Sequence, residues 1–145
     1  MATLTRTEQN KRRSITLPND VREIPRLTDF VDEVCEAMNF DMNTTMKLNL
    51  AVEEAVVNVM DYAYPEGTTG DVTVDVEADD EWLTFVISDC GIPFDPTRKK
   101  EVDITLSLEE RRIGGLGIHL VRQIMDSISY ERKDGINLLT LKKKL

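Results

Sequence analysis

Glu54, Asn58 and Asp61 sit within one stretch, LNLAVEEAVVNVMDYAY, that runs from Leu48 to Tyr64. At about 100° per residue in a helix, Glu54 and Asn58 fall a turn apart on one flank, with Asp61 close to the same line. Taking a carboxylate and an amide out of water costs roughly several kcal/mol unless each finds a partner. A strip of this kind therefore belongs on a cleft, a ligand or a metal. A solvated helix flank can carry the same pair, so the strip needs support from elsewhere in the chain.

Two further stretches offer it. The first is Asp89-Cys90-Gly91-Ile92-Pro93-Phe94-Asp95-Pro96. An ionised carboxylate only accepts hydrogen bonds, so Asp89 in a pocket would select a donor such as the exocyclic amine of adenine and repel the carbonyl oxygen of guanine. Gly91 lets the backbone approach a flat ring, and Pro93 fixes the turn. The second is Gly114-Gly115-Leu116-Gly117-Ile118. Glycines before a helix allow backbone N–H groups to gather around phosphate oxygens, aided by the positive end of the helix. The order is neither GxxxxGK[ST] nor GxGxxG. Arg111 and Arg112 just upstream, with Arg98, Lys99 and Lys100 before them, offer cations to phosphates. Each fragment alone also fits a plain strand-ending turn, a chain reversal or a solvated charge run.

The elements that must position these residues follow from periodicity. Arg12 to Leu17 has the β-branched content of a strand, ended by Pro18. Asn19 or Asp20 can cap a helix through Val21, Ile24, Leu27, Phe30, Val31, Val34 and Met38, with Pro25 delaying its start. Asp41 or Asn43 can cap the central helix, which stops at Tyr64-Pro65. Within it Leu48, Val52, Ala55 and Val59 form one apolar stripe, and Leu50 and Val57 make the opposite side apolar as well. This predicts a helix buried on both sides. Asp71 to Ala78 and Trp82 to Ser88 read as an antiparallel hairpin turning at Asp79-Asp80. The charged stretch from Pro96 to Arg112 reads as a loop, with room for a short helix over residues 107–111. The glycine turn then opens a helix over Ile118 to Met125. Strands Ser127 to Arg132 and Asn137 to Lys142 close the chain around the Lys133-Asp134-Gly135 turn. The order β, α, α, β, β, loop, α, β, β predicts an α+β two-layer sandwich, with helices on one face of a mostly antiparallel sheet.

The chain has 145 residues, the length of one domain spanning 1–145, with residues 1–11 expected to be a flexible segment. A net charge of −9 disfavours nucleic acid as a partner. The sequence shows no signal peptide and no run of about 18 apolar residues, which predicts a cytoplasmic protein off the membrane. Cys35 and Cys90 lie far apart and are expected to be reduced, Cys35 in helix packing and Cys90 as a small filler turned away from the pocket. His119, the only histidine, reads as helix packing or surface.

Taken in order, EEAVVNVMDYAYP, DCGIPFDP and GGLGIHLV resemble the ATP-binding domain of the GHKL superfamily of gyrase, histidine kinases and chaperone ATPases. Within it the chain is most similar to the stand-alone bacterial anti-sigma-factor serine/threonine kinases, from about Ile15 to the C-terminus. The resemblance implies the Bergerat-type fold, ATP and Mg²⁺. It implies that Asn58 holds the metal and that Glu54 is the catalytic general base. It implies that Asp89 and Gly91 read adenine and that Gly115 and Gly117 belong to the phosphate loop with Gly114, Leu116 and Ile118. Phe94 and Asp61 complete the nucleotide-contacting candidates, and Arg111 or Arg112 would meet the γ-phosphate from a lid over Thr97 to Arg112. It further implies a homodimer, an anti-anti-sigma (STAS-type) protein as substrate and a sigma factor as target. Many such kinases carry His-Ala-Tyr where this chain has Tyr62-Ala63-Tyr64, a change expected to bear on packing or nucleotide fit. An ATP-binding module that holds a partner without phosphotransfer is the alternative. A histidine sensor kinase fits less well, because His119 lies in the glycine-box helix.

Overall fold

The computed structural model describes residues 12–98 and 116–145. The expected short helix within 107–111 lies outside them. Strand β1 spans Arg12–Pro18. A 3₁₀ turn at Val21–Glu23 follows, capped by the Asp20 carboxylate, which accepts from the Arg22 backbone N–H at 2.9 Å. Helix α1 covers Ile24–Ala37 with Pro25 in its first turn, where a missing N–H leaves no helical bond unmade. The proline thus sets the α-helical start three residues beyond Val21.

Helix α2, Met42–Tyr62, is capped by Asp41, whose side chain accepts from the Thr44 N–H at 2.7 Å. The hairpin of β2, Asp71–Ala78, and β3, Trp82–Asp89, comes next. Helix α3, Leu116–Ile124, and the hairpin of β4, Ser127–Lys133, with β5, Ile136–Lys144, complete the described chain. The sheet has five strands in the order β1-β2-β3-β5-β4, every neighbouring pair antiparallel. No described helix is long and apolar enough to cross a membrane.

Strand alternation builds the core. Val72, Val74 and Val76 on β2, Leu83, Phe85 and Ile87 on β3, and Leu139 and Leu141 on β5 are buried. They form one cluster with Leu27, Val31, Leu48, Val52 and Val56 of the helices, and Ile118 and Val121 of α3 join it. Burial of such side chains at about 25 cal/mol per Å² drives the two layers together. The opposite strand positions, such as Thr73, Asp75 and Glu77, are polar and at least partly exposed, so one sheet face carries the helices.

The expectation that α2 is buried on both sides is corrected. Leu48, Ala51, Val52, Ala55, Val56 and Val59 are inside, but Met42, Met46 and Leu50 are 80%, 65% and 41% exposed, and Val57 is only partly covered. Periodicity says which residues share a face; burial also requires a neighbour over that face, and among the described residues the sheet, α1 and α3 pack elsewhere on α2.

The β4–β5 turn has both central residues in the left-handed region, Asp134 at φ 53° and Gly135 at φ 79°, the twist-matched geometry for a two-residue hairpin. Gly135→Ala should therefore lower stability by about 1–2 kcal/mol, and Gly135→Asn by less. Urea unfolding midpoints check this; an unchanged midpoint for the alanine variant contradicts it.

Candidate functional site

The candidate site lies along α2, which meets the start of α3 near its middle and the turn after β3 at its end. Glu54 is half-buried and Asn58 is 5% exposed, both on the flank of α2 beside its core stripe. The Asn58 amide nitrogen donates to the Glu54 carbonyl oxygen at 2.9 Å, which turns the amide oxygen the other way. Burial, reinforced by the neighbouring Glu53 charge, pushes the Glu54 carboxyl above the ordinary glutamate range.

Gly117, in the first turn of α3, lies directly over this pair. A β-carbon added there would stand 2.7 Å from Glu54 Oε2 and 3.1 Å from Asn58 Nδ2. A larger residue there would make both side-chain ends give way. The first and third motifs, more than fifty residues apart in the chain, are thus in contact.

Asp89 is buried at the end of β3 and 3% exposed. Its Oδ1 accepts from the Gly91 N–H at 2.8 Å and from Asn137 Nδ2 at 2.9 Å. The turn after it is pinned to the end of α2, where the Ile92 N–H donates to the Ala63 carbonyl at 2.8 Å. At Gly91 a β-carbon would fall 2.2 Å from that same carbonyl oxygen, so glycine is required by backbone contact. The Phe94 ring stacks on Tyr62 with centroids 5.3 Å apart. Tyr64 donates from its hydroxyl to the Asp71 carbonyl at 2.7 Å and accepts from the Cys90 N–H at 3.2 Å. The Tyr-Ala-Tyr run is therefore a packing device at the helix end.

The remaining expected residues divide. Ile118 is buried in the core. Asp61 is exposed and lines a cleft with Asn19, Asp20 and Tyr64. Arg111, Arg112, Gly114 and Gly115 lie outside the described residues, as does the Leu116 side chain. Cys90 is exposed, which corrects its reading as a filler: alternation along β3 buries Asp89 and so sends the next residue to the outward side. Cys35 is buried as expected, and His119 is on the surface.

Sequence reasoning missed Asn137, which is 3% exposed and pairs opposite Asp89 across β3 and β5. Its amide nitrogen also donates to the Ile92 carbonyl at 2.8 Å, and its oxygen accepts from the Tyr130 hydroxyl and from Arg132 Nη1 at 3.1 Å. Strand parity was the available signal, since Asn137 shares the inward face of Leu139 and Leu141.

Residues 17–143 match the family of the histidine kinase-like ATPase domain. The chain belongs to that family. Its resemblance to the GHKL ATP-binding domains, carried by three motifs, agrees with this match and with the α+β fold. The chain is 32% identical over 94 residues to the serine/threonine-protein kinase BtrW of Bordetella bronchiseptica, covering 65% of this chain and 66% of that protein. It is 30% identical over 113 residues to the serine-protein kinase RsbW of Listeria monocytogenes, covering 75% of this chain and 72% of that protein. To RsbW of Bacillus cereus it is 27% identical over 113 residues. The match thus spans just under two thirds of the length of the BtrW kinase and more of RsbW.

A carboxyl with raised proton affinity in this histidine kinase-like ATPase domain has a sign-determined effect on stability. Folded Glu54 holds its proton to higher pH than unfolded Glu54, so its burial is harmless below the ordinary glutamate range and becomes a penalty as pH rises through its raised value. Glu54→Gln should therefore melt above wild type at about pH 7.5, with the difference closing toward about pH 4. Paired thermal melts across that range check it, and a difference independent of pH would contradict it.

Proposed function

We propose that this protein is an ATP-dependent serine/threonine protein kinase of the anti-sigma-factor type. It moves the γ-phosphoryl of ATP to a hydroxyl of a small anti-anti-sigma protein and so regulates a sigma factor. The observation that carries the reading is the contact of Gly117 with both Glu54 and Asn58, which brings the last glycine of the GGLG motif against a carboxylate and an amide. The names of the relatives, serine and serine/threonine protein kinases, support it.

In this reading Asp89 accepts the adenine amine. Among the described residues both hydrogen bonds of its carboxylate fall on Oδ1, leaving Oδ2 for the base. The GGLG motif from Gly114 to Gly117 holds the phosphates by backbone N–H groups in this reading. Asn58, its nitrogen tied to its own helix, offers its amide oxygen to Mg²⁺, a hard ligand for a hard ion. Magnesium, when bound, neutralises charge on the phosphate oxygens.

Glu54 then acts on the acceptor hydroxyl. The acceptor oxygen forms a bond to the γ-phosphorus while the bond to the β–γ bridging oxygen breaks. ADP leaves with that electron pair, and the hydroxyl proton passes to Glu54. Partial burial makes Glu54 a better proton acceptor than a solvated glutamate at the same pH.

The test incubates the purified protein with Mg²⁺, γ-labelled ATP and the small anti-anti-sigma-like proteins of its source cell. Labelled serine or threonine on one partner is expected. Glu54→Ala should keep ATP affinity within about three-fold while transfer falls by roughly 10²- to 10⁴-fold. Asn58→Ala should lose both transfer and the Mg²⁺-dependent part of nucleotide binding. Full transfer by Glu54→Ala overturns the base assignment. Tight ATP binding with no labelled partner overturns the kinase and points to a nucleotide-gated binding module.

A further inference from the structure

We infer that Asn137, held in one orientation by Tyr130 and Arg132, is a positioning residue that sets selectivity for adenine by aiming the Asp89 carboxylate. This rests on the reading of Asp89 as the contact to the base. Sheet register places the parts in one row: Asp89 pairs with Asn137 across β3 and β5, and Asn137 pairs with Arg132 across β5 and β4.

An amide has two chemically opposite ends, and here each end has its own set of partners. The nitrogen faces two acceptors, Asp89 Oδ1 at 2.9 Å and the Ile92 carbonyl at 2.8 Å. The oxygen faces donors from the Tyr130 hydroxyl and Arg132 Nη1, with the Phe94 N–H farther off at 3.4 Å. Turning the amide over would set oxygen against a carboxylate and a carbonyl, and nitrogen against a guanidinium. The side chain is thus fixed by charge as well as by shape.

That orientation is passed to the base-binding turn. With Asn137 and the Gly91 N–H both donating to Oδ1, the Asp89 carboxylate has one rotational setting, and Oδ2 is the oxygen presented to a ligand. Arg132 Nη1 also donates to the Gly91 carbonyl at 2.8 Å, tying the turn that Gly91 carries to the same amide. A carboxylate free to rotate would still attract donors but would lose the direction that tells an amine from its absence. Asn137 therefore acts on the nucleotide through Asp89, and its removal should alter choice between ligands more than affinity for the triphosphate.

The experiment compares the affinity of wild type, Asn137→Ala and Asn137→Thr for ATP and for purine riboside triphosphate, which is ATP without its 6-amino group. Wild type should prefer ATP by roughly 10- to 100-fold, the range for a hydrogen bond to a charged group. In Asn137→Ala the preference should fall below about three-fold, while affinity for the analogue stays within about three-fold of wild type. Asn137→Thr, which restores one donor, should recover part of the preference. Equal loss for both ligands, with the preference intact, assigns Asn137 a merely structural role and overturns the inference. No preference in wild type overturns the reading of Asp89 itself. Should Asn137→Ala not fold, Tyr130→Phe removes one anchor of the amide and should narrow the preference in a folded protein; an unchanged preference there overturns the inference equally.

Discussion

Asp89 and Asn137 are polar side chains, each 3% exposed, facing one another at the end of an otherwise apolar row of the sheet. Leaving either unpaired would cost roughly 1–3 kcal/mol or more for the charged group, so their mutual hydrogen bond is a condition of the fold as well as a feature of the site. It holds only if β3 and β5 keep their register. Register in turn decides that Phe85 meets Leu141 and Ile87 meets Leu139 in the layer beneath the helices. One polar pair is therefore coupled to the alignment of the central strands.

The same end of the sheet is joined to the end of α2 by backbone as well as by the Tyr62–Phe94 stack and the Tyr64 hydroxyl. The Ala63 carbonyl receives the Ile92 N–H, and the space beside it admits no side chain at Gly91. About one and a half and two and a half turns back along that helix, Asn58 and Glu54 meet the start of α3. One rigid rod thus sets the distance between the Asp89 turn and the Gly117 contact. A helix of 21 residues fixed by an Asp41 cap and a continuous core stripe is suited to that purpose, since rigid elements hold a constellation better than loops.

Much of this was legible from residue order. The alternation of Val72, Val74 and Val76 gave β2 to the residue, and the Asp134-Gly135 pair marked the last hairpin. Pro25 signalled the late start of α1. Glu54, Asn58, Asp89 and Gly91 stood out as candidates because a carboxylate and an amide interrupt the apolar pattern of α2 and an Asp-x-Gly closes that of β3. Asn137 escaped because it interrupts nothing: a single polar residue at a strand start resembles a turn residue until pairing shows what lies opposite. The side of α2 that carries Leu50 and Val57 was misread because a helix's own pattern does not record what packs on it. Cys90 was misread because its small apolar character was weighed above strand parity, which with Asp89 inward sets the next residue outward.

The inward face shared by Asn137, Leu139 and Leu141 has a consequence for how such a chain can change over time. Side chains on a strand alternate faces, so adding or deleting one residue between Asn137 and Leu139 would send the amide outward and an apolar neighbour toward Asp89. Substitutions can be sampled along the strand, but length variation of one residue within it cannot. The turn at Asp134 and Gly135 is free of that constraint, since residues added ahead of Asn137 leave its parity with Leu139 and Leu141 unchanged.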